Sequence, residues 1–127
     1  MSGLRALVVD DSSLNRRTIA AILKEIPAVS TVDVANDGAD ALRVVEANPP
    51  DFITLDLEMP HLDGFEFLQL LMDRNPLPVV VVSARSAKEN VFRALELGAI
   101  DFVEKPHGEE DPLEVLRRQL VEKVGVI

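Results

Sequence analysis

Four consecutive valines, Val79-Val80-Val81-Val82, follow Pro78 and end at Ser83. Branching at Cβ favours a strand over a helix, and the run has strand length. With no polar residue pointing either way, such a strand must be covered on both faces. That requirement selects a sheet with helices packed above and below it. Two more runs share this character. Residues 4–9 are apolar apart from Arg5 and end in Asp10-Asp11; Phe52-Ile53-Thr54-Leu55-Asp56 ends in a carboxylate, with Pro60 four residues further on. A carboxylate at the end of a buried strand is costly unless something pairs with it or coordinates it.

Helical segments separate these runs. Ser12 and Ser13 suit a helix N-cap; Leu14, Ile19, Ile22 and Leu23 follow at helical spacing until Pro27. Residues 31–35 alternate Val32 and Val34 with Thr31 and Asp33, the pattern of an edge strand. After the turn Asn36-Asp37-Gly38, the residues Ala41, Leu42, Val45 and Ala47 mark a second helix, stopped by Asn48-Pro49-Pro50. Asp63 is placed to cap a third, whose apolar face is Phe65, Leu68, Leu71 and Met72. A fourth spans about 87–97, with Gly98 as its C-terminal cap. Residues 100–103 form a short fifth strand ending at Glu104-Lys105-Pro106, and Leu113, Leu116, Leu120 and Val124 line a fifth helix. Five β-α repeats with short connections predict an α/β domain: a five-stranded parallel sheet, doubly wound, with right-handed crossovers.

The chain has 127 residues, enough for one core, and no cysteine, which excludes disulfides and thiol chemistry. Its 22 acidic and 13 basic side chains leave a net charge of −9, which argues against nucleic-acid binding. No apolar run approaches the ~20 residues that span a bilayer, and no signal-peptide layout opens the chain; a cytoplasmic location with no membrane partner is the expectation.

In a parallel open sheet, ligands bind at the carboxyl ends of the strands. Here those ends carry Asp10, Asp11, Asp56, Ser83 and Lys105. Scattered surface charge has no reason to select these positions. Three carboxylates are hard oxygen donors suited to Mg²⁺. Beside a cation, Asp56 can act as a nucleophile towards a phosphoryl donor. The new phosphoryl oxygens would find the cation, the Lys105 ammonium and the Ser83 hydroxyl, which is positioning and charge stabilisation.

The sequence resembles a response-regulator receiver domain of two-component signalling over nearly its whole length. The resemblance is carried by Val8-Val9-Asp10-Asp11-Ser12, Leu55-Asp56-Leu57-Glu58-Met59-Pro60, Asp63-Gly64, Val82-Ser83-Ala84, Leu97-Gly98-Ala99 and Phe102-Val103-Glu104-Lys105-Pro106. It implies a flavodoxin-like (βα)5 fold with strand order 2-1-3-4-5. It implies Asp56 as phosphoacceptor, and Asp10, Asp11, Asp56 and the Glu58 backbone carbonyl as ligands of Mg²⁺, for which Mn²⁺ can substitute. Ser83, the Ala84 backbone and Lys105 would bind the phosphoryl group. Ser83 and Phe102 would form the switch, and the Lys105-Pro106 bond would be cis. The implied partners are a histidine kinase as phosphodonor and an output domain or protein at the face of the fourth helix, fifth strand and fifth helix, with Phe92 and Val121 exposed there.

Within the family, the receiver half of the chemotaxis protein-glutamate methylesterase is the most similar subtype. Ile53-Thr54-Leu55-Asp56, Arg93-Ala94-Leu95-Glu96-Leu97-Gly98-Ala99 and the ending Leu120-Val121-Glu122-Lys123-Val124 match it. Residues 1–127 are then one receiver domain, with 120–127 leading towards a linker and the esterase half absent. Arg85, two residues after Ser83, and Glu58, two after Asp56, flank the site and are expected to pair across its mouth. His61 and His107 are isolated in loops and receive no role. Two other readings stay open. A haloacid-dehalogenase-like phosphatase also uses a strand-end aspartate with Mg²⁺. A degenerate receiver would serve only as a binding module.

Overall fold

The computed structural model describes residues 3–59, 62–84, 86–106, 108 and 111–127. The elements alternate as β1 (Leu4–Val9), α1 (Ser13–Glu25), β2 (Val29–Ala35), α2 (Gly38–Ala47), β3 (Phe52–Leu55), α3 (Gly64–Arg74), β4 (Val79–Ser83), α4 (Lys88–Glu96), β5 (Asp101–Glu104) and α5 (Pro112–Val124). The strands pair in parallel in the order β2-β1-β3-β4-β5, as expected.

Successive residues of a strand point to opposite faces, so the sheet serves two cores. On one face Ala6, Val8, Phe52, Val80, Val82 and Val103 pack under α1 and α5. On the other, Leu7, Val9, Ile53, Leu55, Val79 and Val81 pack under α2, α3 and α4. The four valines of β4 thus divide evenly between the cores, which is why the run contains no polar residue. Phe52, Phe65 and Phe67 are fully buried, each contributing about 1.5–3 kcal/mol.

Local chemistry fixes the helix starts. Ser12, Asp37, Asp63 and Asp111 each accept a hydrogen bond from the backbone N–H three residues on. Helix α4 is the exception: Ala87 precedes it with no side-chain cap, and Ala94 is its one buried residue. Its C-terminus is better held. Gly98 has φ +114°, its N–H donates to Leu95 O, and Ala99 N–H donates to Ala94 O, the Schellman pattern that satisfies the last carbonyls.

Some boundaries differ from expectation. Strand β2 begins two residues early, because Val29 is buried against α1, and the register slips between Leu4 and Arg5 to pass Ser30. Val34 is exposed, as β2 lies at the edge of the sheet. Strand β5 starts at Asp101 instead of residue 100, leaving Ile100 exposed where the chain leaves the glycine cap. Phe67 belongs to the core of α3 although it falls outside the predicted stripe. Leu113 is exposed; with Leu14, Pro106 and Leu116 it lines a groove of about 350 Å³ between α1 and α5. Among the described residues no helix is long and apolar enough to cross a membrane.

Candidate functional site

The carboxyl ends of β1, β3, β4 and β5 bring Asp10, Asp56, Ser83 and Lys105 to one edge of the sheet. Asp10 and Asp56 lie just beyond their strands yet stay in the ladder: Asp10 N–H donates to Ala35 O at 3.2 Å and Asp56 N–H to Val9 O at 3.0 Å. Beyond Asp56 the chain is pinned by Leu57 and Met59, both buried in the core under α3. Gly64 N–H then donates to Leu57 O. A Cβ on Gly64 would lie 2.5 Å from Leu57 Cα and 2.7 Å from Asp56 O. The α3 N-terminus therefore presses directly on the Asp56–Leu57 backbone.

Asp10 and Asp56 are almost fully buried, while Asp11 is exposed. One carboxylate oxygen of each lies within 4.8 Å of the others. Lys105 Nζ stands 2.9 Å from Asp10 Oδ2 and 3.4 Å from Asp56 Oδ2. Glu58 N–H donates to Asp56 Oδ1 at 3.2 Å, which seats the Glu58 backbone beside the cluster. Burial pushes the Asp56 carboxyl above its ordinary 3.8; Lys105 opposes the rise, the charge of Asp10 adds to it, and the Glu58 N–H opposes it. Lys105 and the Glu58 N–H thus offset part of the cost of burying this carboxylate. All-oxygen donors at this separation fit a small hard cation.

Ser83 is fully buried at the end of β4, and its carbonyl accepts from Lys105 N–H at 2.9 Å. It follows Val81 by two residues and so faces α3 and α4. Phe102 pairs with Val81 and packs on that same core, which puts the two expected switch residues on one face of adjacent strands. Ala84 is exposed just beyond. The Lys105–Pro106 bond is trans, since no cis peptide occurs among the described residues. Trans is the intrinsically preferred X-Pro isomer, and with it the Lys105 side chain already reaches Asp10 and Asp56. Arg85 lies outside the described residues, as do His61 and His107, so the Arg85–Glu58 pair does too.

Sequence reasoning missed Arg16. Its guanidinium Nη1 donates to Asp10 O at 2.9 Å. The available signal was an arginine early in α1, where the helix dipole favours anions. It also gave Lys105 only to a phosphoryl group, whereas the side chain bonds to Asp10 directly.

Comparison with known proteins agrees with this geometry. Residues 6–117 match the model of the response regulator receiver domain. The protein-glutamate methylesterase/protein-glutamine glutaminase 1 of Myxococcus xanthus is 50% identical over 122 residues, 95% of this chain and 35% of that protein. Enzyme 3 of the same name from Geobacter sulfurreducens is 46% identical, covering 100% of this chain and 35% of its own. The chain thus spans about a third of the length of these relatives. The response regulator domain of Thermotoga maritima CheB superposes with TM-score 0.87 at 37% identity, covering 98% of this chain and 95% of that one. A chain of the CheX-CheY-BeF3-Mg²⁺ complex from Borrelia burgdorferi gives 0.80 at 28% identity, covering 96% and 90%. Sequence, fold and the carboxylate edge agree: this chain belongs to the response regulator receiver domain family.

Proposed function

We propose that this chain is a phosphorylation-controlled switch in which Asp56 accepts a phosphoryl group from a phosphohistidine of a histidine kinase. The observation that carries this reading is the set of Asp10, Asp11 and Asp56 oxygens within 4.8 Å, with Lys105 on two of them. An Asp56 carboxylate oxygen forms the new O–P bond while the P–N bond breaks, its electron pair leaving with the imidazole. Asp10, Asp11 and Asp56, with the Glu58 backbone carbonyl, would hold Mg²⁺ or, on the same oxygen donors, Mn²⁺. When bound, the cation supplies charge neutralisation to the carboxylates and phosphoryl oxygens. Lys105, already 3.4 Å from Asp56, takes a phosphoryl oxygen. The Ser83 hydroxyl and the Ala84 backbone take another, drawing the β4–α4 connection inwards, and Phe102 follows on the same face. Glu58 and Arg85 flank the mouth of the site.

The output surface is α4, β5 and α5, where Phe92, Leu95, Ile100 and Val121 are exposed. The similarity to methylesterases over a third of their length supports a methylesterase output domain joined after α5, in a cytoplasmic chemotaxis-type pathway. Neither nucleic acid nor membrane is a partner of this acidic domain. The test is mass spectrometry after incubation with Mg²⁺ and acetyl phosphate. One phosphate should be gained, and lost in Asp56→Ala. Sustained turnover of small phosphate esters instead would favour the phosphatase reading; no labelling would favour a binding module.

A further inference from the structure

We propose that Arg16 is a positioning residue for the cation site, holding the peptide between Asp10 and Asp11 so that the Asp11 carboxylate points at its partners. The inference rests on the metal reading above. Asp10 is held at every polar atom: its N–H by Ala35 O, its Oδ1 by Ser12 N–H at 2.9 Å, its Oδ2 by Lys105, and its carbonyl oxygen by Arg16 Nη1 at 2.9 Å. Asp11 is different. It is exposed, and among the described residues no hydrogen bond or ion pair reaches its carboxylate. Its carboxylate nevertheless has an oxygen within 4.8 Å of one on Asp10 and one on Asp56.

Where the Asp11 side chain starts is therefore set by its backbone. The Asp10 carbonyl and the Asp11 N–H share one rigid plane. Fixing the carbonyl oxygen fixes that plane, and with it the direction in which Asp11 leaves. Arg16 makes this hold from within α1, whose N-terminal end has positive potential and no acidic residue in its first turn. A cation reaching back to that end works against the dipole, so the bond calls for a reason beyond helix stability. A small cation with strict octahedral preference supplies one, because it tolerates little error in ligand direction.

Two roles for Arg16 predict opposite signs. If it acted only as a nearby positive charge, its removal would tighten cation binding. If it positions Asp11, its removal weakens binding. The test is titration of the unphosphorylated domain with Mg²⁺ alone, followed through the amide signals of Asp11 and Ser12 by ¹⁵N–¹H NMR. Arg16→Gln should weaken Mg²⁺ binding about tenfold, the lower end for partners that orient metal ligands. Arg17→Gln, the same charge change at the exposed neighbour, should leave it within about twofold, and Arg16→Lys should recover at least half of the loss on a logarithmic scale. Binding by Arg16→Gln as tight as or tighter than the parent overturns the proposal. Absence of any saturable shift in the parent domain instead overturns the metal reading beneath it. Should Arg16→Gln fail to fold, Arg16→Met is held to the same thresholds.

Discussion

Lys105 Nζ and Asp10 Oδ2 stand 2.9 Å apart across 95 residues of chain, joining the last strand end to the first. The ion pair is nearly buried, with Lys105 18% exposed and Asp10 1%. Removing one partner of such a pair leaves the other charge uncompensated. Lys105→Met should lower stability at neutral pH by about 2 kcal/mol, less than a fully buried pair because of that residual exposure. It should also move the Asp56 titration further upwards, since Lys105 opposes the effect of burial most strongly. Urea unfolding and carboxyl ¹³C NMR read the two effects.

The raised Asp56 pKa has a sign in the stability profile. The folded state binds this proton more tightly than the unfolded chain does. Stability from Asp56 is therefore full below its ordinary 3.8 and is lost as pH rises through the higher folded value. Without divalent cation, Asp56→Asn should unfold at higher urea than the parent at pH 7, and the gap should close towards pH 3. Mg²⁺ should raise the parent's midpoint and leave that of Asp56→Asn nearly unmoved. Equal midpoints at pH 7 in the absence of cation would contradict the argument.

Thr54 sits two residues before Asp56, 1% exposed, and its hydroxyl has no hydrogen-bond partner among the described residues. In the ladder it pairs with Val8 and Val80, both in the core under α1 and α5. An unsatisfied buried hydroxyl costs about 1–3 kcal/mol. Thr54→Val keeps the shape, so it should stabilise the domain by about 1 kcal/mol. Phosphorylation of Asp56 should be unchanged. A loss of stability would mean that the hydroxyl has a partner.

Gly64 allows α3 to start against the backbone of Asp56 and Leu57. Backbone atoms cannot yield as a flexible side chain can, so Gly64→Ala must displace one segment from the other. A loss of about 2–3 kcal/mol is expected, in the range for overpacking, together with slower labelling of Asp56 by acetyl phosphate. Gly108→Ala, where no described residue lies within 4 Å of an added Cβ but φ is +73°, should leave labelling intact.

Phe92 and Val121 are 62% and 47% exposed. Changing both to Ser removes apolar surface without entering either core. Asp56 labelling should persist, while association with the proposed methylesterase output domain should weaken at least tenfold in pull-down or calorimetry. Unchanged association would move the output surface elsewhere.

Much of this was legible in the sequence because the central strands β1, β3 and β4 are short and buried on both sides over most of their length. The valines of β4 and the carboxylates closing β1 and β3 leave few alternatives for the fold and the active edge. What was not legible depends on contacts between distant segments. Phe67 breaks the simple helical stripe because α3 lies between α2 and α4 as well as on the sheet, so a wider arc of it is covered. Leu113 fits the stripe of α5 but faces the groove beside α1. The pairing of Lys105 with Asp10 and the reach of Arg16 to a carbonyl follow from side-chain direction at loop ends, which periodicity does not encode.

The division of β4 between two cores has a consequence for how such a domain can diversify. The groups around Asp56 and Lys105 stand beside α1 and α5, while Ser83 and Phe102 belong to the layer of α3 and α4. The sheet is a shared wall between two compartments, and residues from both reach its carboxyl edge. Residues of α3 and α4 remote from that edge can therefore drift to suit new partners, while Ser83 and Gly64, which reach it, stay tied to the Asp56 site.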